Sequence, residues 1–190
     1  DKEYTLSISK QAEEIKGDTF NPFPEPFRSK LGQSECKSLG DEFGLTQFGV
    51  NLELLQPNAR SSLRHWHTAS DEFLYVVDGE VTLVTNSGEQ IIGAGMCIGF
   101  PAGIDDGHCL INHTDKIAKF IAIGSRNESD KAVYNDDDFQ WVVTESGEWV
   151  ASNKDGKPYR EMSYNKRFKS DSRTRAELAS LKHGTRSLTA

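Results

Sequence analysis

Positive charge is scarce in this chain, and so are cysteines and long apolar runs. Lys and Arg number 22 against 29 Asp and Glu, a formal net charge of −7 over 190 residues. No Lys/Arg-rich stripe is present, and an acidic surface repels phosphate backbones, so no nucleic-acid partner is expected. No run of about 18 apolar residues occurs, so no transmembrane helix and no membrane partner are expected. Three cysteines, Cys36, Cys97 and Cys109, are an odd number without CxxC spacing. They make no disulfide framework and fit a reducing compartment, so the expected location is cytoplasmic. The chain opens at Asp1 without a methionine, which leaves a removed leader segment open. Asn112-His-Thr114 and Asn127-Glu-Ser129 match the glycosylation triplet, but such triplets are frequent by chance.

A chain of this length fits one domain with appendages and can bury a core without disulfides. Residues 1–45 lack sustained periodicity and read as an N-terminal arm packing on the domain. Lys10 to Ile15 could make a short helix. The run Asn21-Pro-Phe-Pro-Glu-Pro-Phe27 favours extended chain, with Phe20, Phe23 and Phe27 as anchors; a partner-binding arm is the functional alternative. From residue 46 to 126 the pattern is strand-like. Phe48, Val50, Leu52 and Leu54 alternate with polar residues, and Glu72–Val77, Val81–Thr85, Gln90–Ile92, Met96–Phe100, His108–Asn112 and Ala118–Ile123 follow as short strands. Asp78-Gly79 reads as a hairpin turn and Asn86-Ser-Gly88 as another. Turns recur about every ten residues with no βαβ alternation and no internal repeat, the mark of one all-β sandwich or barrel. Residues 127–190 read as a C-terminal hairpin, Phe139–Val143 with Glu148–Ala151 turning at Ser146-Gly147, then a polar tail with a possible helix over Arg173–Lys182.

The informative stretch is His65-Trp-His67, then Glu72 and Gly79. Residues two apart on a strand share a face, so His65 and His67 can form a clamp for a metal ion while Trp66 turns away. Glu72 opens the next strand and can return its carboxylate to the same place; Asp71 is a weaker competitor. Further on, Pro101-Ala-Gly103 bends the chain ahead of His108, a third imidazole. Three imidazoles and a carboxylate suit Fe, Mn, Ni, Cu or Zn. Singly, each histidine is more often a core or surface residue than a ligand. Their order on an all-β background is the signal.

His65-x-His67-x₄-Glu72-x₆-Gly79 resembles the first cupin motif, and Gly95-x₅-Pro101-x-Gly103 … His108-x₃-Asn112 resembles the second. The resemblance spans about residues 46–126. It implies a cupin jelly-roll β-barrel, commonly a homodimer, of the small single-domain bacterial type. It also implies one divalent metal ion (Fe, Mn, Zn or Ni) held by His65, His67, Glu72 and His108. Two departures stand out: Ala59 occupies the place of the first motif's opening glycine, and four residues separate Gly103 from His108 where the family has two. The insertion is even, so strand parity survives and His108 can still face inward.

The inserted segment brings Asp105 and Asp106 near the site as candidate proton carriers, though a solvated acidic turn is the commoner role. Gln47 and Asn51, on the polar face of the first barrel strand, are candidate substrate contacts. Parity turns Glu72, Leu74 and Val76 inward, Phe73 and Tyr75 outward, and Cys109 opposite to His108. The leading expectation is a metal-dependent enzyme acting on a small polar or oxygen-rich molecule. Sugar-like isomerase or epimerase chemistry comes first, Fe(II) dioxygenase second and lyase third. A non-catalytic ligand-binding or sensing cupin is the alternative.

Overall fold

Segments too short to bury a face alone must find partners across the chain, and here they do so in two facing antiparallel sheets. A computed structural model describes residues 9–143 and 149–159. In chain order the first strands are β1 (Ser34–Ser38), β2 (Phe48–Leu55), β3 (Trp66–His67), β4 (Glu72–Asp78), β5 (Glu80–Thr85) and β6 (Gly88–Gly93). There follow β7 (Cys97–Phe100), β8 (Cys109–Ile111), β9 (Ala118–Ser125), β10 (Ala132–Val133), β11 (Gln140–Val143) and β12 (Trp149–Ser152). Five strands form one sheet, ordered β1-β2-β9-β4-β7, and three form the other, ordered β6-β5-β8. Leu55, Leu74, Val76 and Phe120 of the first sheet meet Val81, Leu83, Ile92 and Leu110 of the second in one apolar core. This is the jelly-roll architecture expected from the sequence.

Asp78-Gly79 is a corner and not a hairpin turn. β4 pairs with β7 and β9, whereas β5 pairs with β6 and β8, so the chain changes sheets between them. Gly79 takes φ of 79° there, and a Cβ would lie 3.1 Å from the Cα of Ala118. Both facts demand glycine. The turn at Asn86-Ser-Gly88 does join a hairpin, with Thr85 opposite Gly88.

The first 45 residues are more structured than their pattern suggested. The short helix α1 (Phe27–Leu31) follows the proline run, β1 pairs with β2 from Ser34↔Leu55 to Ser38↔Asn51, and α2 (Leu39–Glu42) precedes β2. Lys10 to Ile15 contains only a 3₁₀ turn, Ala12–Glu14. Phe23, Phe27 and Leu31 are buried against Leu63, Tyr134, Phe139 and Trp141 in a second apolar cluster. Phe139 sits at its centre, 5.1 Å from the rings of Phe23 and Phe27 and 5.2 Å from Trp141. Phe20, expected to anchor the arm, is 43% exposed instead. β11 pairs with β12 as anticipated, while the turn at Ser146-Gly147, the Arg173–Lys182 helix and the tail lie outside the described residues. No helix among the described residues is long and apolar enough to cross a membrane.

Candidate metal centre and its cavities

His65 and His108 exchange backbone hydrogen bonds in an isolated antiparallel bridge: His65 N donates to His108 O at 3.2 Å and His108 N to His65 O at 2.9 Å. Such a directly opposed pair puts both side chains on one face. The His65 ring lies 5.6 Å from that of His108 and 5.0 Å from that of His67, centroid to centroid. The four-residue connection from Gly103, two residues longer than the family's, thus leaves His108 facing inward and buried. Gly103, at φ 76°, donates its N–H to His67 O at 2.8 Å and ties the turn to the first motif.

Each imidazole is held through Nδ1. That of His65 donates to Leu63 O at 2.8 Å, that of His67 to Asp130 Oδ2 at 2.6 Å, and that of His108 to Asp106 O at 3.3 Å. For His65 and His67 the oxygen acceptor behind Nδ1 fixes the tautomer in which Nε2 carries the lone pair, the arrangement found behind metal-binding histidines. Burial, followed by the charges of His67 and His108, pushes His65 down to about 3, so its ring is neutral at physiological pH. The His108 ring is stacked on Phe100 with centroids 3.4 Å apart, and His65 tilts against Tyr134 at 5.5 Å.

Glu72 meets His108 Nε2 through Oε2 at 2.5 Å. Burial alone would raise its carboxyl, but the His108 hydrogen bond and the neighbouring imidazoles outweigh that and hold it low. The carboxylate and imidazole therefore satisfy each other. Among the described residues no group of three or more His, Cys, Asp or Glu is set to hold a metal ion. The donor chemistry nonetheless fits one: the imidazoles of His65 and His67 with Nε2 lone pairs, and the His108 imidazole, whose Nε2 proton on Glu72 would give way to the ion, beside one ionised carboxylate.

The four residues border two cavities. An outer one of about 380 Å³ is walled by His67, Glu72 and His108 with Trp66, Phe100 and Asp106. An inner one of about 110 Å³ meets all four, together with Asn51 and Glu53. Trp66, expected to turn away, is thus part of the outer wall, with its indole N–H on Asn135 at 3.2 Å. Asn51 is buried at the inner cavity; Gln47 is exposed and borders neither. Asp106 faces the outer cavity and accepts Asn86 N–H at 2.7 Å, whereas Asp105 is exposed, with its carboxylate on Asn135 Nδ2 at 2.5 Å. Asp71 is exposed and caps Ala102 N at 2.8 Å. The side-chain parity of β4 is as expected, with Leu74 and Val76 buried and Phe73 and Tyr75 exposed. Cys109 is a buried residue whose thiol burial pushes up to about 11.

Two site residues escaped the sequence reading. Glu53 shares the Asn51 face of β2 by strand parity, so the reasoning that found Asn51 extends to it. Asp130 is buried and takes hydrogen bonds from His67 and from Ala69 N at 2.7 Å. Burial would raise its carboxyl; those bonds more than offset this and hold it below the usual range. Nothing in the sequence marked it, because it reaches His67 only through the pairing of β10 with β3.

Comparison with known proteins agrees with this architecture. The Cupin domain family matches residues 51–124. A sugar phosphate isomerase from a cupin superfamily, of Silicibacter pomeroyi, is 37% identical over 80% of this chain and 96% of its own, with a TM-score of 0.73. A candidate sugar phosphate isomerase of Acidithiobacillus ferrooxidans is 25% identical over 83% of this chain and 97% of its own, at 0.66. A predicted oxalate decarboxylase of Thermotoga maritima, at 19% identity and 0.52 over 62% of this chain and 98% of its own, shares the fold. No curated protein matches in sequence. The chain belongs to the cupin superfamily.

Proposed function

We propose that the protein is a metal-dependent isomerase of a small sugar-like molecule. The observation that carries this reading is the set of three imidazoles, each with an oxygen acceptor at Nδ1, beside an ionised Glu72, of which His67, His108 and Glu72 line a 380 Å³ cavity and His65 the smaller one behind it. The name borne by the Silicibacter pomeroyi relative supports the reaction class. His65, His67, Glu72 and His108 would hold one divalent ion, Glu72 and His108 exchanging their mutual contact for it. When bound, the ion supplies Lewis acidity that polarises a carbonyl or hydroxyl oxygen.

The remaining work falls to the chain. Trp66 and Phe100 offer apolar faces to the sugar ring, and the buried floor excludes water. Asp106, whose carboxylate borders the cavity, takes a proton from the carbon beside the carbonyl and returns it to the neighbouring carbon. The hydroxyl proton moves the same way, from the oxygen on the deprotonated carbon to the former carbonyl oxygen, so aldose and ketose interconvert with no net redox change. Asp105, committed to Asn135, has no part in it.

Metal-loaded protein incubated with a panel of five- and six-carbon aldoses in deuterated water should place deuterium at the carbon beside the carbonyl. Asp106→Asn should slow this by about 100-fold. No deuterium in any sugar would refute the isomerase reading. A homodimer is part of the same proposal: Phe73, Tyr75 and Val77 on β4 are exposed on the face opposite the cavities, and a second copy would cover them.

A further inference from the structure

The outer cavity carries a charge pattern that bears on its substrate. Among the described residues its walls hold three carboxylates, Glu72, Glu89 and Asp106, and no Lys or Arg. A divalent ion at the floor would absorb the charge of Glu72, but Glu89 and Asp106 stand on the walls above it. Arg64, whose guanidinium bonds Asn86 and Gly107 beside the cavity's lining, is already committed. It donates to both oxygens of Asp136, at 2.6 and 2.8 Å, to Asn86 Oδ1 at 2.9 Å and to Gly107 O at 3.3 Å. The turn that could offer backbone amides to an anion is committed as well. Asn86 N donates to Asp106 Oδ1 and Ser87 N to Thr85 Oγ1, at 2.7 and 3.2 Å. What the walls do offer is suited to hydroxyl groups: the carboxylates as acceptors, Ser70, Ser87 and Gln90 as polar partners, and Trp66 as a flat apolar face.

We infer that the cavity selects an uncharged polyhydroxy compound, a free sugar, over its phosphate ester. The inference rests on the isomerase reading and sharpens it, because it sets this chain apart from relatives named for sugar phosphates. A phosphate of nearly two negative charges held on the walls would face Glu89 and Asp106 across a partly desolvated space with no Lys or Arg among the described lining residues to meet it. Like-charge juxtaposition of this kind penalises the wrong ligand more than it helps the right one.

The test is equilibrium titration of the full-length, metal-loaded protein with each aldose of the panel and with its terminal phosphate ester. The best free sugar should bind about tenfold or more tightly than its ester at low salt, and the gap should narrow as salt is raised. Glu89→Lys, on an exposed hairpin strand, should shift the ratio toward the ester, and Glu89→Gln should shift it less. An ester that binds more tightly than its free sugar would overturn the inference while leaving isomerisation standing. Absence of binding by every free sugar would overturn it too. Binding of free sugars without deuterium incorporation would sink the isomerase reading and leave the selectivity intact.

Discussion

Asp130 shows how much the placing of His67 can depend on one side chain outside the proposed ligand set. It is buried, ionised, and bonded at once to His67 Nδ1 and to the backbone at Ala69. Its carboxylate fixes the tautomer and the rotation of the His67 ring and raises the basicity of Nε2. Asp130→Asn keeps the shape and removes the charge, so metal affinity should fall by about 10–100-fold while the fold persists. Competition with a chelator of known affinity measures this; an unchanged affinity would show that His67 needs no such support. The clustering of the proposed ligands His65, His67 and Glu72 was legible because their spacing is local: two residues on one extended segment and one opening the next strand. Asp130 was not, because its link to His67 is made by a two-strand ladder between residues far apart in the chain.

At the scale of elements, the segments outside the family's own span prove to be structural. The arm before β2 and the hairpin β11–β12 meet over Leu63 and Tyr134, and Tyr134 in turn backs the His65 ring. Phe139 is the hub of this cluster and is fully buried, so Phe139→Ala should cost about 3–5 kcal/mol in chemical denaturation. A loss below ~1 kcal/mol would mean that the cluster is not a core. Strand positions within residues 46–126 followed from alternation, but their pairing did not. Asp78-Gly79 has the residues of a tight hairpin turn, yet the competing requirement was a close pass of Gly79 against Ala118 at a change of sheet. β1 and β10 were missed because Ser34–Ser38 is mostly polar and Ala132–Val133 is only two residues long. Their strand character comes from the neighbours they pair with, not from their own pattern.

For the molecule as a whole, the outer face of β4 is an apolar surface that nothing among the described residues covers. Phe73, Tyr75 and Val77 project from it in a row with 40–45% of each exposed. The proposed homodimer covers that row, so sedimentation equilibrium should give twice the chain mass of 21.2 kDa, and Tyr75→Glu should shift it toward the monomer. A wild-type monomer at micromolar concentration would exclude the dimer. The acidic composition read at the outset has its local counterpart in the outer cavity, where carboxylates form the walls.

In the reading proposed for this protein, His65, His67, Glu72 and His108 together bind one divalent metal ion. Elemental analysis of the untreated full-length protein, beside His65→Ala and His108→Ala variants shown to be folded, tests it most directly. One equivalent of metal per chain in the wild type, lost from both variants, is the expected result. Stoichiometric metal retained by both variants, or a wild type that neither carries nor takes up a divalent ion, would contradict it.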